Sequence, residues 1–330
     1  MQEVAIRVSV VALGFAMCLA MPVAAQTSQV KTWPERPIKL IVTQAAGGTP
    51  DILARIVTEE VGKRIGGSFV VENRPGGGNV VGTQAAARSA PDGYTFLWAT
   101  AAALVTNPYT FKALPYDPFK DFVTVGKVAE GPFMLLAHPD VPANDLPGLI
   151  AHAKANPGKL NFATDGAKNF SGMIAAWINK LGGLDIAQVP YSAMPQGAQD
   201  TIAGRVQLVV LAVPSARPLM EAGKLKALAT SMPKRVPGLE KIAAVAETFP
   251  GFDLTGWMVL SAPAGTPPAI VDHVNRELDA VLKTPAMVKR LAEIGFFTDG
   301  AGTLAEAAAY VKAQHEAWGK IIPAIGINPE

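Results

Sequence analysis

IKLIVTQAAGGTPDILARIV, residues Ile38–Val57, carries three kinds of sequence in twenty residues. A β-branched run, IKLIV, stops at a small glycine-paired loop, and an amphipathic pattern starts at once. Ile52, Leu53, Ile56, Val57, Val61 and Ile65 fall on one helical face, with Arg55, Glu59 and Lys63 elsewhere. That is a strand, a tight loop and a helix. The same alternation continues outward. SFVVENRP (68–75) and YTFLWAT (94–100) read as strands, and GTQAAARSA (82–90) as a helix between them. Strands separated by helices imply parallel pairing and right-handed crossovers, hence an open α/β sheet.

A longer β-rich stretch follows, FVTVGKVAEGPFMLLAHP (122–139), interrupted by Glu130-Gly131-Pro132. Alternation then resumes. Helices are expected at 146–157, around 172–182, at 195–204 and at 216–223, with strands at 159–165, 187–192, 206–213 and 225–231. A second bridging strand, LTGWMVLSAP (254–263), precedes two helices that begin near Pro267 and Leu304. Two α/β blocks joined by two extended crossings predict a chain that visits a second domain and returns. The expected division is 36–130 with 258–330, and 131–257. Such architectures place a ligand cleft between the lobes, and paired crossings make a hinge.

The first 25 residues are of another class. Arg7 supplies a positive start, weakened by Glu3, and Val8–Ala20 is uncharged. Val23 and Ala25 stand at the small-residue positions of a cleavage site before Gln26. The segment reads as a Sec-type secretory signal, too short for a permanent span and without paired arginines. Cys18, the single cysteine, lies within it. A chain cut after Ala25 has neither disulfides nor thiol chemistry. The rest is expected to be exported and soluble. With 17% charged and 49% apolar residues it is not disordered, and a net charge of +2 gives no footprint for nucleic acid.

Ligands of open α/β sheets sit beyond the carboxyl ends of strands. Four small-residue loops stand there: 44–51, 99–108, 163–172 and 212–218. In the first, Thr49 is the expected N-cap, with Pro50 in the first turn and Asp51 after it. Free amides and the helix dipole then offer an anion site without a lysine. An ordinary capped turn, with Asp51 complementing the dipole, explains the same residues. In the third loop Thr164-Asp165-Gly166-Ala167-Lys168-Asn169 repeats that logic. Lys168 either meets a ligand carboxylate or pairs with Asp165.

Enzymatic motifs fail. RPGGGNVVG (74–82) looks like a dinucleotide fingerprint, but its last glycine is one place late and no acid ends the following strand. GxxxxGK[ST], GxSxG and HExxH are absent. His138, His152, His273 and His315 lack ligand spacing, and Trp98, Trp177, Trp257 and Trp318 sit in apolar, core-like surroundings. No nucleophile, base and oxyanion donors converge, so neither catalytic residues, metal nor cofactor is expected. An exported hydrolase is disfavoured.

The chain resembles the extracytoplasmic solute receptors of tripartite tricarboxylate transporters, the TctC or Bug-type binding proteins. The resemblance runs through WPERPIKLIV (33–42), GGTPDILAR (47–55), VVENRPGGGNVVG (70–82), APDGYT (90–95) and NPYTFKALPYDPFKDF (107–122). It continues through NPGKLNFAT (156–164), VPYS (189–192), AGKLKALA (222–229) and APAGTPP (262–268). It implies an α/β, two-lobed periplasmic-binding-protein-like (Venus flytrap) fold with two crossover connections. The implied ligand is a small carboxylate, held by loop amides and ordered waters. Gln44, Ala45, Ala46, Gly47, Gly48, Asp51, Ala101 and Ala102 would approach it from one lobe. Thr164, Asp165, Lys168, Asn169, Tyr191, Val213, Pro214 and Ser215 would approach it from the other. The implied partners are the membrane permease subunits of the transporter; the receptor is expected to be a periplasmic monomer. A ligand-sensing module of a signalling system could use the same cleft.

Departures from the family pattern bear on the ligand. Gln44-Ala45-Ala46 stands where relatives carry a proline-rich, aromatic loop, and Leu211 and Ala212 stand in place of a polar pair. Asp165 and Lys168 replace small hydroxylic residues. A widened, partly apolar pocket follows, suited to an aromatic or otherwise apolar-bodied carboxylate.

Overall fold

The computed structural model describes residues 33–191 and 193–329. The expected secretory signal and cleavage site, with Cys18, and Ser192 lie outside the described residues. The opening unit is β1 (Ile38–Val42) followed by α1 (Thr49–Ile65), β2 (Phe69–Asn73), α2 (Val80–Ala87) and β3 (Thr95–Thr100). A π-helical turn, Ala102–Thr106, runs into the short α3 (Asn107–Thr110). The stretch 99–108, expected as a loop, is therefore a strand end and a wound turn. Small residues permit this: Ala101 and Ala103 are buried and let the backbone coil against the sheet.

β4 (Phe122–Gly131) and β5 (Phe133–Ala137) are separated only by Pro132, yet they belong to different sheets. Proline lacks the N–H that would continue a ladder, so the chain changes partners there. The second sheet is built from β5, α4 (Leu146–Ala155), β6 (Asn161–Thr164), α5 (Phe170–Gly182), β7 (Ala187–Pro190), α6 (Met194–Ile202), β8 (Leu208–Ala212), α7 (Val213–Glu221) and β9 (Lys226–Thr230). After α8 (Val245–Thr248), β10 (Gly256–Pro263) returns to the first sheet. Three helices close the chain: α9 (Pro268–Leu282), α10 (Pro285–Glu293) and α11 (Leu304–Ala324). The sequence reading expected two. α10 is capped by Thr284, whose hydroxyl accepts from the Met287 amide at 3.3 Å, and Pro285 fills its first position.

The two sheets share one plan. Strand order is β2-β1-β3-β10-β4 in the first and β7-β6-β8-β5-β9 in the second. β1 pairs parallel with β2 and β3, and β6 with β7 and β8. β10 and β5 run antiparallel to both their neighbours. Parallel pairing thus holds only for the strands joined through helices, as the crossover rule requires. One apolar cluster, holding Leu97, Ala99 and Val259 together with Leu135, Phe162 and Leu208, draws on both sheets. A second packs α1 and α9 on the first sheet, and a third lies on the second sheet around Met134, Val209 and Val213.

The two sheets are also tied by aromatic stacking. Phe133 at the start of β5 stacks on Phe170 at the start of α5, with centroids 5.6 Å apart and planes 11° apart. Phe170 meets the edge of Trp318 in α11 at 5.3 Å. On the opposite flank, Gly295 has φ +74° and lies against Pro214; a Cβ there would strike the proline ring.

Candidate functional site

The first loop is organised around Asp51, which is 3% exposed. Its Oδ2 accepts the Gly47 amide at 2.9 Å, Arg55 Nε donates to both carboxylate oxygens at 3.1 Å, and Asn73 Nδ2 donates to Oδ1 at 2.9 Å. Asn73 Nδ2 also reaches the Gln44 carbonyl at 2.9 Å. Burial pushes the Asp51 carboxyl up, but the hydrogen bonds from Arg55, Gly47 and Asn73 outweigh it and hold the group below its ordinary value. Asp51 therefore remains ionised and ties the loop to α1 and β2.

Thr49 is not the N-cap. Gly48 takes that place in an extended conformation with no side-chain cap, and Thr49 is the first helical residue. The hydroxyl is not needed, because the Asp51 carboxylate fixes the turn from inside the helix. Pro50 occupies the first turn as expected. The Gly47 amide serves Asp51, and the Gly48 amide donates to Ala45 O at 3.2 Å. The Thr49 and Asp51 amides remain, and first-turn amides have no acceptor inside their own helix. They are the pair that an anion would meet at the positive end of a 17-residue helix.

Ala101 and Ala102 follow β3, beside β1 in the sheet, so their turn adjoins the first loop. Asn107 Nδ2 donates to Gly78 O at 2.8 Å, and Tyr116 Oη donates to Ala103 O at 2.7 Å. Thr43 Oγ1 donates to Asn79 Oδ1 at 2.9 Å. The GGGN stretch is thus a brace between the ends of β1 and β3. Its glycines serve backbone geometry, since Gly76, Gly77 and Gly78 all have positive φ.

On the second sheet, Thr164 is fully buried and donates to Gln188 Oε1 at 3.2 Å. The Asp165 carboxylate accepts the Ser171 hydroxyl in a short bond, and the Asp165 amide returns to Ser171 Oγ at 2.8 Å. Burial raises the Asp165 carboxyl, while Ser171 and the amides of Gly172 and Ser171 pull the other way. The head of α5 thereby faces a carboxyl of the protein itself. Gly172 is obligatory here, because a Cβ would collide with the Gly166 carbonyl. Asn169 is the N-cap residue of α5, but its side chain donates to Asp165 O at 2.7 Å instead of capping. Lys168, which stands between them in the sequence, is half-buried.

Tyr191 donates its hydroxyl to Asp200 at 2.9 Å and its amide to Thr164 O at 2.8 Å, so its ring face is what it can offer a ligand. Val213 is buried and its amide reaches Pro132 O at 3.1 Å; Ser215 is exposed at the start of α7. Leu211, read as pocket lining, is 4% exposed and packs in the core cluster with Met134 and Val213. Ala101 is likewise buried, at 2% exposure, so the apolar character of the site rests on Ala45, Ala46, Ala102 and Ala212. The structure gathers the candidate residues into two groups, one at the carboxyl ends of β1 and β3, the other at those of β6, β7 and β8. Arg55 and Asn73, which orient Asp51, were not singled out from the sequence. Asn73 ends a strand 22 residues away from its partner, and local pattern carries no sign of that.

Three of the histidines have protein partners in the described residues. His315 Nε2 lies 2.9 Å from Tyr109 Oη and is held below its ordinary value by burial; Asn156 bonds His152; His138 Nδ1 accepts the Asp140 amide. His273 lies edge-on to Trp33. Among the described residues no group of three or more His, Cys, Asp or Glu side chains could hold a metal ion, and no helix is long and apolar enough to cross a membrane.

Comparison with known proteins gives a consistent result. The family model described as the tripartite tricarboxylate transporter family receptor matches residues 53–327. BugT of Bordetella pertussis is 32% identical over 279 residues, covering 84% of each chain. Among solved structures, Rpa4515 of R. palustris with adipate superposes with a TM-score of 0.78 at 31% identity, covering 90% of this chain and all of that one. MatC of Rhodopseudomonas palustris with bound malate gives 0.72 at 28% identity, covering 88% and 100%.

Proposed function

The chain belongs to the tripartite tricarboxylate transporter receptor family, and on that premise we propose that it captures a small carboxylate between its two sheets and hands it to membrane permease subunits. The family is one of periplasmic solute-binding receptors, not of enzymes. Two relatives of this fold hold dicarboxylates, adipate in one and malate in the other. The observation that carries the reading is the head of α1, where Asp51 fixes a glycine loop and leaves the Thr49 and Asp51 amides pointing off the helix. No lysine is needed for such a site. The second sheet contributes residues 164–169, Tyr191 and the start of α7.

In this reading residues 36–130 and 258–330 form one lobe and 131–257 the other, with Pro132 and the return into β10 as the crossings. A ligand touching both lobes binds the closed state better and shifts the population toward it. Residues 1–25 serve as a Sec-type signal removed after Ala25, and the mature receptor works as a monomer without cofactor. Alanines rather than polar side chains around the amides favour an acid with an apolar body.

A thermal-shift screen of carboxylates, aromatic acids included, tests the proposal. An acid present at about 100 times its dissociation constant stabilises the native state by roughly 2.7 kcal/mol, a displacement easily resolved. If amines or uncharged solutes raise the melting temperature while no acid does, the carboxylate reading is wrong.

A further inference from the structure

Beneath the head of α1 lie two polar atoms that the protein leaves unused. Thr100, the last residue of β3, is 8% exposed, and its Oγ1 is shielded from solvent without a hydrogen-bond partner; the same holds for Oε1 of Gln44. Parallel register makes them neighbours. Leu40 stands opposite Phe96 and Val42, the last residue of β1, opposite Trp98; extending that register two residues past the strand brings Gln44 to the level of Thr100. Strand alternation puts Thr100 on the face of Leu40, Val42, Phe96 and Trp98, the face that α1 covers, and Gln44 lies in the loop that leads into α1. On the other side of Thr100 the neighbour is Met258, which is buried and apolar. A buried hydroxyl and amide oxygen without partners are costly, and in native proteins such atoms have a reason.

We infer that Gln44 and Thr100 form a polar floor that selects carboxylates bearing a hydroxyl group close to the carboxylate. The inference rests on the carboxylate reading of the α1 site above. With the carboxylate on the Thr49 and Asp51 amides, a neighbouring hydroxyl donates to Gln44 Oε1 and accepts from Thr100 Oγ1. A hydroxyl does both, and a methylene does neither. An ammonium group would need a negative partner here, and both oxygens of the first loop's own carboxylate, Asp51, are already engaged by Gly47, Arg55 and Asn73. Sites built to hydrogen-bond a ligand hydroxyl reject the analogue lacking it far more strongly than apolar pockets reject a methylene.

Calorimetric titration with matched pairs tests this: succinate and malate, adipate and 2-hydroxyadipate, phenylacetate and mandelate, with the 2-amino acids alongside. For the pair of best-fitting length, the hydroxy acid is expected to bind about tenfold tighter or better than its deoxy partner. Thr100→Val keeps the shape and removes the hydroxyl, so it should weaken the hydroxy acid alone and bring the pair to within about threefold. Gln44→Leu should do the same, and Thr100→Ser should keep the preference, which separates loss of the hydroxyl from loss of the fold. Equal affinities within every pair, tighter binding of an amino acid, or a preference that survives both Thr100→Val and Gln44→Leu would overturn the inference while leaving the carboxylate reading intact. Binding of none of these acids would overturn both.

Discussion

Trp318→Ala is expected to lower the unfolding free energy by about 3–5 kcal/mol, the usual range for truncating a fully buried aromatic residue. Trp318 is 0% exposed, in the middle of α11. It shares a core cluster with Ala103, Leu104 and Val105 of the π-helical turn, and its ring meets Phe170 edge-on. Phe170 in turn stacks on Phe133, so one indole supports the turn after Ala101 and the residue after Asn169. Removing it opens a cavity where the two sheets meet. Urea denaturation of the variant should show a lower midpoint, with the slope retained if the native state stays compact. A loss below about 1 kcal/mol would mean that the aromatic stack is peripheral to stability.

Asp51→Ala should follow at about 2–3 kcal/mol near neutral pH, from the loss of charge-assisted hydrogen bonds to a buried carboxylate. Gly47 loses its acceptor and Asn73 loses one of its two, while half-exposed Arg55 keeps only Asn73 Oδ1 and water. The first loop then keeps only the Asn73 bond to the Gln44 carbonyl and its own Gly48–Ala45 turn, and affinity for an acidic ligand should fall at least tenfold. The effect carries a pH signature. Because the folded state holds the Asp51 carboxyl below its ordinary value, the stabilisation is present above the unfolded value of about 3.9 and is lost as pH falls through the folded one. The gap between wild type and Asp51→Asn should therefore close below about pH 4. A gap constant from pH 7 to pH 3 would show that hydrogen-bond geometry, not charge, is what Asp51 supplies.

The strand–loop–helix unit at 38–57 was legible because each part is locally consistent: a β-branched run, a glycine loop and an apolar helical face. The break at Pro132 was equally legible, since proline cannot extend a ladder. What escaped the sequence was set by contacts far along the chain. The start of α1 depends on Asn73 through Asp51, so the local preference for Thr49 as a cap was overridden. Leu211 was misplaced because both faces of β8 are buried, and alternation alone does not tell core from pocket. α10 follows a Thr-Pro start that was visible, but only Met287 and Leu291 of its nine residues are buried, too few to show a period. Thr100 went unremarked because an orphaned hydroxyl is a property of surroundings rather than of sequence.

The most direct test is diffraction from crystals grown with the acid that gives the largest thermal shift. Density for that acid is expected in contact with the Thr49 and Asp51 amides on one side, and with residues 164–169 or the start of α7 on the other. Density at a surface remote from both groups, or confined to one sheet with the lobes unmoved, would contradict capture between the lobes.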